Sequence, residues 1–221
     1  MPSNIRQPDR WLSFALAFVG GYGDASSFVL ARTFTGHVTG NLVLAAIAAA
    51  VHDWRAALGH LSAIITFLIG IFLSLFVARP LKASQLLPSI MGIEVILMVA
   101  ASLSLASDVA HRVAMFVICM SLALGLQNGA FRRVGGISVH TTYLTGMMTS
   151  LITTEAERYA SEVLPPPAPT SDPKVGLLLG IWISFVLGAG TGATMVLHFK
   201  ALGLLGAPLL LIALALRELQ S

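Results

Sequence analysis

Six long apolar runs divide this chain: Trp11–Ala31, Leu61–Ala78, Leu86–Leu105, Val113–Ala130, Val175–Leu197 and Ala201–Leu216. Most reach the roughly 17–25 residues that a helix needs to cross the hydrocarbon core of a bilayer. Lipid offers no partner to backbone N–H and C=O groups, so such runs must satisfy them internally, as helices. The expected fold class is an all-α polytopic integral membrane protein. Composition agrees: 56% of the 221 residues are hydrophobic and 10% charged, against about 25% charged in a soluble domain. The length suits one membrane domain, residues 1–221. The net charge of +3 comes from basic residues scattered at segment ends, not from the clustered basic face of a nucleic-acid binder. Cys119, the single cysteine, lies in an apolar run, which argues against a disulfide or a thiolate metal site. The first run contains Asp24 and lacks a small-residue cleavage site, so it reads as a span rather than a removed signal.

Two further segments are short. His37–Val51 and His140–Thr154 each have 15 residues, about 22 Å of helix at 1.5 Å per residue. Both open on polar side chains. They are either short spans or half-helices that enter the membrane and return. The bias of Lys and Arg towards the cytoplasm discriminates between the two. With the amino terminus inside, eight spans would put 7 basic residues inside and 6 outside, whereas six spans put 9 inside and 4 outside. Six transmembrane helices plus two half-helices is the better expectation. "LPPPAPTSDPK", Leu164 to Lys174, is a proline-rich linker with no helical continuation.

The chain also echoes itself. "GYGDASSF" (Gly21–Phe28) aligns with "GLQNGAFR" (Gly125–Arg132), setting Asp24-Ala25 over Asn128-Gly129. Thr39-Gly40 then falls on Thr145-Gly146, and "ITFLIG" (Ile65–Gly70) matches "ISFVLG" (Ile183–Gly188). The expected halves are about 11–105 and 113–216. Three spans in the first half start the second on the opposite side, so six spans imply an inverted repeat. Four spans per half would make it parallel. Secondary transporters commonly use inverted repeats, with sites near the midplane where discontinuous helices meet.

Asp24 lies near the middle of the first span, where a carboxylate is costly unless paired, hydrated or protonated. Its functional reading is a proton, cation or substrate contact, and its bland reading is a tie between helices. Gly20, Gly21 and Gly23 are expected to weaken the helix around it. His37, Thr39 and Asn41 open the first short segment, where free N–H groups also favour an anion. Gln127 and Asn128 take the place of the acid in the second half, and Thr142 and Thr145 open its short segment beside His140. These eight, Asp24, His37, Thr39, Asn41, Gln127, Asn128, Thr142 and Thr145, are the candidate solute-binding residues. Thr-Gly pairs also serve as close-packing seams between helices. Glu94 is a second intramembrane acid with no nameable partner. Arg132 and Arg133 read as cytoplasmic anchors, and His52, His60, His111 and His198 as boundary residues. No metal-ligand spacing, nucleophile–base pair or nucleotide-binding motif is present, so no cofactor, metal or enzymatic activity is expected. Small-residue faces at Gly188, Gly190 and Gly192 suit packing within one chain or in a homo-oligomer.

In order and spacing, "GYGDASSFVL" (Gly21–Leu30), "FTGHVTGN" (Phe34–Asn41), "LGLQNGAFRR" (Leu124–Arg133) and "TTYLTGMMTSL" (Thr141–Leu151) resemble the YoaK family of bacterial inner-membrane proteins. The resemblance covers about Trp11 to Leu216. It is carried by Gly21-x-x-Asp24-Ala25, by Thr39-Gly40-Asn41 and by Thr141-Thr142 with Thr145-Gly146. Gly129 departs from the family's alanine. The resemblance implies residence in the bacterial inner membrane and about six spans. It implies no substrate. The residues themselves favour a small secondary transporter for a small polar solute, with Asp24 as a proton-linked acid. A passive channel and a non-transporting assembly or structural protein remain as alternatives.

Overall fold

The computed structural model describes residues 10–108, 110–131, 133–134, 137–138, 146, 149, 152–153, 156 and 173–220. They form an all-helical bundle. In chain order it comprises α1 (Arg10–Ala31), α2 (Val38–Ala50), α3 (Trp54–Ala78), α4 (Ala83–Ala106), α5 (Arg112–Ala130), α6 (Pro173–Phe199) and α7 (Gly206–Gln220). A six-residue 3-10 segment, Lys200–Leu205, joins the last two. A two-residue antiparallel pairing of Arg133–Val134 with Ile137–Ser138 follows α5.

Five stretches are long and apolar enough to cross a membrane, the last running from Val175 to Gln220 through both α6 and α7. α2, with 13 residues, is shorter. Two boundaries differ from the sequence expectation for local reasons. The polar joint before Leu61 is already helix, because the Asp53 side chain caps α3 by accepting the Ala56 N–H at 3.0 Å. α6 starts at Pro173, inside the expected linker, since proline is well tolerated in a first helical turn, where its missing N–H is not needed.

α1 and α5 are the most buried spans and form the centre. α1 is continuous through Gly20, Gly21 and Gly23, where local weakening was expected. Its glycines serve close packing instead. An added Cβ on Gly21 would meet the Phe185 carbonyl of α6, one on Gly188 the Phe18 carbonyl of α1, and one on Gly192 the Tyr22 carbonyl. A second seam of this kind joins α3 and α5. There Gly125 faces the Phe67 carbonyl, Gly70 the Leu122 carbonyl, and Gly129 the Ile71 carbonyl. Lipid tails are as apolar as leucine, so helices in a membrane associate through such close backbone contacts rather than by burying oil from water.

These contacts set the helix directions. Along the α1–α6 seam, Phe14, Phe18 and Tyr22 meet Gly180, Gly188 and Gly192 in rising order, so the two helices run parallel. α3 and α5 are parallel by the same test. α1 and α5 are antiparallel, because Gln127 reaches back to the Leu16 carbonyl at 2.8 Å while Gly23 meets Leu124 and Met120. A short turn reverses α4 into α5, with Ser104 Oγ donating to the Arg112 carbonyl at 3.3 Å. α1, α4 and α6 therefore point one way, and α3 and α5 the other.

Candidate functional site

The chain leaves α1 at Ala31, and Arg32 turns it with a left-handed φ of 55°. Residues 33–37 then descend alongside α1. Asp24, seven residues before the end of α1, anchors the descent about 10 Å below that end. Its Oδ1 accepts the backbone N–H of Thr35 at 2.9 Å and of Gly36 at 2.6 Å. His37 Nδ1 donates to its Oδ2, and the contact becomes an ion pair when the ring carries a second proton. Thr35 Oγ1 donates to Ser27 Oγ at 3.1 Å.

α2 starts at this depth and climbs back. Asn41 locks its first turn by accepting the Phe34 N–H at 3.1 Å and donating to the Phe34 carbonyl at 2.6 Å. The 13 residues of α2 rise about 20 Å to a turn at His52, left-handed at φ 60°, where Asp53 caps α3. His60, two turns into α3, is back level with Thr33, whose Oγ1 lies 3.2 Å from His60 Nδ1. The segment from Arg32 to Asp53 thus enters the bundle and returns to the side it left. It is a re-entrant half-helix, with Leu42, Val43 and Ile47 exposed on its outer face.

At the tip Asp24 is 2% exposed, whereas the His37 side chain keeps 30% of its surface open. Its ring stands edge-on to Phe185 at 5.8 Å and tilted against Phe34 at 5.6 Å. Nδ1 is engaged by Asp24, and Nε2 makes no hydrogen bond among the described residues. Thr39 is on the exposed side of α2.

The other expected residues lie elsewhere. Gln127 and Asn128 are buried on α5. Gln127 donates from Nε2 to the Leu16 carbonyl, eight residues and about 12 Å nearer the start of α1 than Asp24, and its Oε1 has no partner among the described residues. Asn128 donates to the Leu124 carbonyl of its own helix at 3.0 Å. Asp24 and the Gln127-Asn128 pair are therefore two separate positions, at different levels of α1. Thr142 and Thr145, with most of the second short segment, lie outside the described residues.

Two further features lie apart from the eight candidate residues. Glu94 is wholly buried on α4, with neither carboxyl oxygen partnered among the described residues. A cleft of about 720 Å³ opens where Arg32, Thr33, Arg55, His60, His111 and Arg112 converge. Of these residues the sequence singles out only His60 and His111, as boundary residues. Only their accumulation at one end of the bundle marks them. Among the described residues no three His, Cys, Asp or Glu side chains are grouped to hold a metal ion.

The family model described as "Protein of unknown function (DUF1275)" matches residues 12–216. No curated protein and no solved structure matches the chain at a level that would show kinship.

Proposed function

The chain belongs to the DUF1275 family, and we propose that it is a secondary transporter for a small polar solute in the bacterial inner membrane. One observation carries this reading: the Asp24–His37 pair at the tip of a re-entrant half-helix, inside the span of α1. Irregular backbone at membrane depth is tolerated where it is buried in protein or lines a water-filled cavity. Half-helices ending near the midplane are the usual places for substrate and coupling ions in transporters. The part-exposed His37 ring, with Nδ1 held by Asp24, leaves Nε2 to offer a solute one polar contact. A proton on that ring answers the Asp24 charge.

The glycine seams support an inverted duplication beneath this site. Gly21 and Gly125 are equivalent in the internal alignment, as are Phe67 and Phe185. In the fold Gly21 packs on Phe185 and Gly125 on Phe67. Each half's first helix therefore packs against the other half's second span, and the two first helices run antiparallel. Such halves can rock against each other about the α1–α5 crossing.

A second reading also has an observation behind it. Two backbone amides saturate Asp24 Oδ1, which would suffice for a staple with no transport role. Asp24→Asn separates the two. The amide oxygen still accepts both N–H groups, while the charge facing His37 is gone. Proteoliposomes on a solid-supported membrane, challenged with a panel of small polar solutes, should give saturable currents that the variant abolishes. Unchanged currents in Asp24→Asn would leave only the staple.

A further inference from the structure

We propose that the cleft between the ends of α1, α3 and α5 binds a phosphate-like or carboxylate oxyanion. Arg32, Arg55 and Arg112 enter its lining from three separate elements. The only ion pair among the described residues that involves any of them is Arg112 with Asp108, at 3.9 Å. Asp53 also lines the cleft, but its Oδ1 is engaged by the Ala56 N–H. Thr33 and His60 form a hydrogen-bonded pair in the wall, and Ser62 adds a hydroxyl. The site is thus rich in donors and has a net positive charge. Its volume of about 720 Å³ falls within the roughly 300–1,000 Å³ of small-molecule sites.

Two independent observations argue that this is more than helix-end decoration. On the six-span reading, with the amino terminus in the cytoplasm, four of the 13 basic residues fall outside: Arg32, Arg55, Arg112 and Lys200. Basic residues flanking a span hinder its translocation, yet three of the four are gathered around one cleft. Two of the four non-glycine residues with left-handed backbone among the described residues also line it. Arg32 and His111 both line it in the left-handed region, at φ 55° and 69°, without being glycine. Strained positions of this kind cluster at binding sites, where the surrounding structure holds them. The guanidinium fork suits planar or tetrahedral oxyanions that accept two bonds at once. The cleft also adjoins the re-entrant segment, since Thr33 lines it and Thr35 bonds to Asp24. The proposal does not depend on transport, because it concerns binding alone.

The test uses the full chain in nanodiscs of phosphatidylcholine. Inorganic phosphate is titrated at constant ionic strength against chloride, and thermal unfolding is followed. A saturable rise in Tm is expected for the wild type. Arg32→Gln, Arg55→Gln and Arg112→Gln should each weaken the half-saturating concentration at least tenfold. All three side chains are exposed, so each variant should fold. Arg217→Gln, at the opposite end of the bundle, should behave as wild type. Nanodiscs containing phosphatidylglycerol then distinguish the source of the anion. Loss of the phosphate response there identifies a lipid headgroup as the occupant, and an unchanged response identifies a free anion. A phosphate response no larger than that of chloride, or one equal in the three variants, overturns the proposal.

Discussion

Gly125 of α5 lies against Phe67 of α3 so closely that a methyl group on the glycine would meet the Phe67 carbonyl oxygen. The same relationship holds between Gly21 and Phe185 across the other seam. Gly125→Ala and Gly21→Ala should each lower stability by about 1–3 kcal/mol, the usual cost of overpacking a tight contact. Gly190→Ala, where an added Cβ meets nothing within 4 Å, should change it by less than about 0.5 kcal/mol. Unfolding in mixed micelles on titration with a denaturing detergent measures all three. Equal tolerance of the three substitutions would mean that the seams do not hold the bundle.

Asp24 accepts three hydrogen bonds in a buried position. Asp24→Ala strands the Thr35 and Gly36 amides, each at about 1–3 kcal/mol. Asp24→Asn keeps an acceptor for both. The alanine variant should therefore be the less stable of the two by about 2 kcal/mol or more, read by thermal unfolding in detergent. Indistinguishable variants would refute the amide clamp.

The path of α2 makes a topological prediction. A cysteine at Ala56, in a chain carrying Cys119→Ser, should react with an impermeant thiol reagent from outside intact cells. Cysteines at Ser3 and Lys174 should react only after the cells are opened. Labelling of position 56 from the cytoplasmic side would mean that α2 crosses, and the re-entrant description would be wrong.

Glu94 is buried without a partner among the described residues. Replacing an unsatisfied polar group by an apolar one of similar shape is neutral or favourable, since it removes a desolvation cost of about 1–3 kcal/mol. Glu94→Leu should thus be as stable as wild type or more so. A loss of stability would show that the carboxyl has a partner in the native membrane.

Much of the fold can be read along the chain because it depends on local quantities. The length of each apolar run announces a span, and the 15 residues after Gly36 are too few for a comfortable crossing. Charge bias then selects the re-entrant reading. The depth at which Asp24 meets the Thr35 and Gly36 amides is another matter, because it depends on where the chain turns after Ala31. In the fold Asn41 turns back to Phe34, and His37, at the N-cap position of α2, turns its ring to Asp24 rather than to the helix N–H groups. The cleft was hidden for another reason. Arg32, Arg55 and Arg112 are distant in the chain, and each alone is an ordinary residue at a helix end.

The crossed seams bear on how such a chain is made. α1 finds its closest partner in α6, more than 150 residues downstream. When the first half leaves the ribosome, the surfaces of Gly21 and α3's Gly70 have nothing to close on. The first half must wait in the membrane for the second, and a ribosome that stops between α4 and α5 leaves two unclosed seams facing lipid. Contacts this remote in sequence are slow to form. Assembly of this protein is therefore a matter of completing the whole chain, with the late helices acting as the keystones of the early ones.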